Sequence, residues 1–345
     1  MSMKQRMMHA AAILGLAIMA AALPAARGQR PASPPPPAAQ APTPTVVPPS
    51  AVPYQADAVK TCLRQCHNME PVTYILQTPH AVKADSRTPF ADHQCETCHG
   101  ASPAHIEVSS TPVAVVFKGK LKSPAAVINE RCLTCHAQGL RTHWTGSQHE
   151  SRGVSCVDCH NIHAPEQKVL AKATQAEVCF TCHKEQRAQV RRVSAHPLAA
   201  SLGSTPKMVC ADCHNPHGST GPTLLVKNSV NETCYQCHPE RRGPFLWEHT
   251  PVTDSCVNCH TPHGSSNAPL LKARAPWLCQ ECHSGDHGAQ INSGANLSGG
   301  NVTTVNGLQA AGAATPRIQM TSRACLNCHV LIHGSNHPAG AKFQR

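Results

Sequence analysis

The apolar positions of this chain follow neither a helical nor a strand period for long. One continuous apolar run spans Ala10 to Leu23, and no later segment approaches membrane-spanning length. Residues 31–53, PASPPPPAAQAPTPTVVPPSAVP, hold ten prolines in 23 positions. Such a stretch favours extended polyproline conformation and buries no core. From Tyr54 onward, Gly, Pro, Asn and Ser recur between short apolar stretches, and amphipathic periodicity is weak. The pattern predicts mostly coil with short helices and little or no β-sheet.

Lys4 and Arg6 precede the apolar run, and small residues (AALPAARG) follow it. This reads as a secretory signal over residues 1–28, cleaved between Ala25 and Gly28; a retained membrane anchor is the alternative. No cysteine precedes Cys62, which leaves no N-terminal cysteine for lipidation. Residues 29–57 read as a Pro/Ala-rich disordered linker and residues 58–345 as the functional domain.

Aromatic residues make up 3% of the chain, too few for a conventional core to offset conformational entropy. The 20 cysteines supply another interior, because all fall in Cys-containing motifs that end in histidine. Numbered in chain order, the first four are Cys62/Cys66/His67, Cys95/Cys98/His99, Cys132/Cys135/His136 and Cys156/Cys159/His160. The next three are Cys179/Cys182/His183, Cys210/Cys213/His214 and Cys234/Cys237/His238. The last are Cys256/Cys259/His260, Cys279/Cys282/His283 and Cys325/Cys328/His329. Nine are C-x-x-C-H, the attachment signature of c-type haem; the first, CLRQCH, carries one extra residue. Structural zinc needs four thiolates and no following histidine, so it does not account for the pattern. Ten covalent haems, each held by two thioethers and a motif histidine, form the expected core. Short helices around the attachment motifs would wrap an extended chain of haems.

The formal charge of +11 is offset by the twenty propionates of ten haems. The basic stretch at 184–192 therefore reads as a solvated or propionate-pairing face, with no nucleic-acid function.

Outside the motifs there are 14 histidines, of which His9 lies in the signal; Met69, Met208 and Met320 are the only methionines beyond it. The inventory suits bis-histidine ligation, which favours low potentials relative to His/Met. The histidines recur in a two-motif unit: motif, intervening His, motif, close following His, repeated five times. His149 and His249 each lie seven residues before a motif, with His80 and His196 looser equivalents. His163, His217 and His263 follow a motif histidine by three residues, His333 by four and His105 by six. Three residues reach at most about 10 Å, too short to pass around a porphyrin edge, so His217 must serve a different iron from His214. One short peptide would then ligate two haems and hold them together.

The ten motifs, the CHNPHGS and CHTPHGS runs, HWTGSQHESRGVSCVDCHNIH (143–163) and CLNCHVLIHGSNHPAG at the C-terminus resemble the secreted decahaem cytochromes of the MtrA/DmsE type. The resemblance covers about residues 58–345; the spaced first motif and the proline-rich leader depart from it. It implies a bis-histidine haem wire in the periplasm, associated with the outer membrane. An outer-membrane β-barrel porin-type protein and other cytochromes would be its partners. Spacing and resemblance together assign His105 and His80 to haems one and two, and His163 and His149 to three and four. His217 and His196 go to five and six, His263 and His249 to seven and eight, and His333 and His287 to nine and ten. His93, His143 and His337 are left as ordinary polar residues, with His337 as the alternative to His287. Trp144, Trp247 and Trp277 read as haem-packing residues. The implied role is electron transfer between periplasmic donors or acceptors and the cell exterior, without catalysis. The alternatives are a shuttle to a terminal reductase and a multihaem reductase with an open iron; a C-x-x-C-K motif is absent.

Overall fold

Every attachment motif lies on a single helical turn, and the ten turns alternate in kind. Odd-numbered motifs sit at the ends of helices: Ala58–Gln65, Ala125–His136, Lys172–Cys179, Val230–Cys234 and Trp277–Gln280. Even-numbered motifs open short turns at their first cysteine: Cys95–His99, Cys156–Cys159, Cys210–Asp212, Cys256–Asn258 and Cys325–Asn327. The chain is described by a computed structural model over residues 52–198, 205–283 and 325–344. The signal, the linker up to residue 51 and His287 lie outside the described residues. The rest belongs to one unit, Val52–Arg345, of coil and short helices; among the described residues there are isolated bridges but no β-strand.

Local sequence explains the turns. Asp57 and Ser229 cap their helices by accepting N–H bonds from Lys60 and Glu232 at 3.1 Å each. At the fourth motif, SCVDC, the Asp158 carboxylate accepts from the Ser155 N–H at 2.7 Å. Asp212 repeats this at the sixth motif, accepting from the Val209 N–H at 2.8 Å. In a regular motif the histidine N–H donates to the first cysteine's carbonyl four residues back, as His183 does to Cys179 at 3.0 Å. In the spaced first motif, His67 donates to the Cys62 carbonyl at 3.1 Å, five residues back. The extra residue is thus taken up as one π-type turn.

Close backbone approaches fix the position of the following histidines. A Cβ on Gly218 would lie 1.9 Å from the His143 carbonyl oxygen, and one on Gly264 would lie 2.0 Å from that of Gln189. Only glycine fits there, which explains the HGS runs that follow His217 and His263.

Buried asparagines clamp the two motifs of a unit together. Asn129 Oδ1 accepts from the Cys156 N–H at 2.8 Å, while its Nδ2 donates to the Val154 carbonyl at 3.1 Å. Asn231 repeats the clamp in the fourth unit: Cys256 N–H donates to Oδ1 at 2.7 Å, and Nδ2 donates to the Val252 and Thr253 carbonyls at 3.0 Å. In the intervening unit, Gln175 accepts from the Ala211 N–H at 3.0 Å. The apolar interior is slight, with one small cluster of Ala176, Phe180 and Val190, and separate buried side chains such as Ile128 and Val115. Polar clamps and cofactor attachment must therefore carry much of the tertiary structure.

Asn231→Ala would leave the Cys256 N–H and two carbonyls without partners, at a cost of about 1–3 kcal/mol. The expected outcome is a lower denaturant midpoint with unchanged haem content. Asn231→Asp keeps the acceptor for Cys256 and should lose less.

Candidate haem-ligand array

The cysteines of successive motifs meet in chain order. Within each unit the first cysteines are neighbours: Cys62 with Cys95, Cys132 with Cys156, Cys179 with Cys210, Cys234 with Cys256, and Cys279 with Cys325. The hydrogen bond between the first pair pushes the Cys62 thiol up and holds Cys95 down. Between units it is the second cysteines that lie within electrostatic reach: Cys98 with Cys135, Cys159 with Cys182, Cys213 with Cys237, and Cys259 with Cys282. These alternating links join all ten motifs in one unbranched series. Its two ends are the second cysteines of the first and tenth motifs, Cys66 and Cys328. Both side chains are exposed, and neither takes part in the links between units that the other second cysteines make. Among the described residues no three His, Cys, Asp or Glu side chains converge on a common metal position, as a zinc site would require.

The motif histidines of the first nine motifs each stand opposite another imidazole. Between ring centroids, His67 lies 6.1 Å from His105, His99 6.4 Å from His163, His136 6.0 Å from His80, and His160 6.0 Å from His217. Further along, His183 lies 6.1 Å from His149, His214 6.1 Å from His263, and His238 6.4 Å from His196. His260 lies 6.2 Å from His333, and His283 6.1 Å from His249. Two imidazoles bound through Nε2 to one metal, with bonds of about 2 Å, place their centroids roughly 6 Å apart. The spacing therefore fits one iron between each pair, and the residues present suit haem c.

Second contacts orient the rings. Nδ1 bonds a backbone carbonyl in His99 (Val115, 3.2 Å), His105 (Thr111, 2.6 Å), His163 (Val72, 2.9 Å) and His214 (Thr223, 3.0 Å). The same holds for His149 (Pro216, 2.7 Å), His196 (Pro262, 2.7 Å), His249 (Ile332, 3.1 Å), His260 (Pro269, 3.0 Å) and His329 (Lys342, 2.5 Å). His160 bonds the Gln167 side-chain oxygen at 2.8 Å. A carbonyl can only accept, so Nδ1 carries the proton and Nε2 keeps its lone pair for a metal. Burial also holds His80, His99, His217, His260, His263 and His333 below the ordinary histidine range, favouring the neutral ligating form.

The pairing differs from the one expected from spacing at the second to ninth motifs. His80 faces the third motif and His163 the second, where the reverse is expected. Likewise His217 faces the fourth and His149 the fifth, His263 the sixth and His196 the seventh, His333 the eighth and His249 the ninth. The intervening histidines His80, His149, His196 and His249 reach forward to the first motif of the next unit, and the close following His163, His217, His263 and His333 reach back to the second motif of the previous one. The physical reason lies in the carbonyls: His149 is turned away from its own unit by its bond to Pro216, 67 residues on. His105 has no earlier unit and faces His67 within its own.

The remaining histidines have other contacts. His93 stacks on Tyr54 at 3.8 Å between centroids and lies 3.3 Å from the Asp92 carboxylate. His337 Nδ1 accepts from the Ala339 N–H at 3.1 Å, and the His143 carbonyl rests against Gly218. Trp144 is buried beside His217 at 6.4 Å, whereas Trp247 and Trp277 are exposed. The clamp residues Asn129, Asn231 and Gln175 escaped the reading of the sequence, although the repeated NERC and NETC runs before the third and seventh motifs carried the signal.

Residues 149–188, 205–243 and 249–288 match the doubled CXXCH motif family. Residues 110–161 match the cytochrome c554 and c-prime family. The chain is 42% identical over 294 residues to a protein described as multiheme cytochrome MtrA from Shewanella baltica (strain OS185), covering 85% of this chain and 83% of that one. With covalent attachment motifs in series and paired imidazoles spaced for iron, the chain belongs to the MtrA family of multihaem c-type cytochromes.

Proposed function

We propose that all ten motifs carry haem c with two histidine ligands, and that the chain conducts electrons along the series in motif order. The observation that carries this reading is the unbroken succession of cysteines, hydrogen-bonded within units and within electrostatic reach between them, from the first motif to the tenth. The family makes the chain an electron-transfer protein with covalent haem c; the number ten and the route are our reading. When bound, each haem supplies a one-electron ferric/ferrous couple. The cysteines would attach it through thioether bonds, and the motif histidine and the facing histidine would both ligate its iron. Such a site would carry electrons and offer no open iron to a substrate.

The ligands follow the facing pairs: His105, His163, His80, His217, His149, His263, His196, His333 and His249 for the first to ninth motifs. The same rule assigns His287 to the tenth, because the last unit's intervening histidine has no later unit to reach. The proposed setting is the periplasm, reached through the signal sequence. The chain would span the outer membrane there inside a β-barrel porin-type partner and link periplasmic cytochromes to the cell exterior. No helix among the described residues is long and apolar enough to cross a membrane by itself.

The intact mass of the mature protein should show ten covalent haems, Cys62 and Cys66 included; nine would exclude the spaced motif. His217→Ala should retain every haem and yield one high-spin iron at the fourth motif, returned to low spin by added imidazole. His93→Ala should stay low-spin throughout. A low-spin His217→Ala protein would overturn the pairing.

A further inference from the structure

Two buried nitrogens beside the fourth site lack a partner. Trp144 is 5% exposed, its ring centroid lies 6.4 Å from that of His217, and its Nε1 has no hydrogen bond. His217 Nδ1 is likewise buried and unpartnered, and among the described residues no other histidine nitrogen is. The surrounding segments bond one another without reaching either atom. Asn215 Nδ2 donates to the Leu140 carbonyl at 2.8 Å, and the Trp144 N–H donates to the Arg141 carbonyl at 2.9 Å. Arg141 Nε donates to the His136 carbonyl at 2.8 Å, and among the described residues no carboxylate pairs with this guanidinium. Its charge is felt at His217, which burial first, and then His160 and Arg141, hold below the ordinary histidine range.

Both atoms are donors. An indole Nε1 can only donate, and His217 Nδ1 must carry the proton if its Nε2 is to bind iron. The two rings therefore cannot satisfy each other, and a buried N–H is costly to leave unpaired. What the place lacks is an acceptor. A water would bring two more protons to a place already rich in donors, whereas the nearby guanidinium favours an anion. We infer that Trp144 Nε1 and His217 Nδ1 bind a carboxylate that the polypeptide does not supply, a haem propionate, with Arg141 offsetting its charge. The inference rests on the pairing of His160 with His217 proposed above. The propionate would do for His217 what backbone carbonyls do for His149 and His214: accept from Nδ1, fix the tautomer and leave Nε2 for iron. Trp144 is then a haem-anchoring donor as well as a packing residue.

An experimental structure of the holoprotein, prepared without carboxylate buffers, tests this directly. A single haem carboxylate should place its oxygens within about 3.2 Å of both Trp144 Nε1 and His217 Nδ1. With His217 on iron, a water or no acceptor at these atoms would overturn the inference and leave the pairing intact. His217 away from iron would overturn the pairing, and the inference with it. Trp144→Phe gives a second readout, since it keeps a ring in place and removes the donor. Resonance Raman spectra of that variant should show one haem's propionate bending mode shifted, with haem content and the low-spin spectrum unchanged. Spectroelectrochemical titration should move one haem to lower potential, because less of the propionate's charge is then offset. Unshifted propionate modes in Trp144→Phe would overturn the inference. The same shift in Trp277→Phe, where the indole is exposed, would overturn it too.

Discussion

Two imidazoles that share one iron must lie on a common axis with about 6 Å between their centroids. A C-x-x-C-H motif supplies only one of them, and its own neighbouring residues are too close to reach the far side of the porphyrin. The second ligand has to come from elsewhere in the chain, and on the proposed pairing the second to ninth motifs take it from an adjoining two-motif unit. Coordination would then also be the long-range contact of the fold. His149 and His217 cross between the second and third units in opposite directions, as His196 and His263 do between the next two. With so few buried apolar side chains, these crossings replace the packing that would normally fix one segment against another.

The alternation of helix ends and helix starts serves the same constraint. A motif at the end of a helix and a motif at the start of a turn present their first cysteines toward each other, and Asn129 and Asn231 hold that approach by pairing with the second motif's backbone. The second cysteines then lie within electrostatic reach of those of the next unit. Two kinds of contact, repeated in turn, suffice to order ten motifs without a branch. In the later units the bonded imidazoles include the motif histidines His160, His214 and His260 at even sites and the facing histidines His149, His196 and His249 at odd ones. At the seventh site His238 Nδ1 also lies 3.6 Å from the Glu240 carboxylate.

Much of this was legible in the sequence. Covalent attachment follows from Cys, Cys and His at fixed spacing, and weak periodicity with few aromatic residues indicates a coil-rich chain that depends on its cofactors. The short HNPH and HTPH spacings correctly separate His217 and His263 from the histidines just before them. The partner of each histidine was not legible, because pairing inside a unit and pairing across units draw on the same residues. What decides between them is the direction of the ring, set by backbone carbonyls such as Pro216 and Pro262, and a carbonyl leaves no mark in the residue code. Gly218 and Gly264 did leave one, since the backbone approaches they permit tolerate no other residue.

Crossed ligation also bears on how such an array ends. In an interior unit both free histidines leave for neighbours and both motifs receive ligands from neighbours, so the unit is never complete alone. At the first unit, His105 lacks an earlier motif to serve and His67 lacks an earlier donor, and the two meet. On our assignment His287 and His329 solve the same problem at the other end. On the proposed pairing each terminal unit thus turns its unmatched histidine onto its own motif, with the same histidines that the interior units use to reach their neighbours.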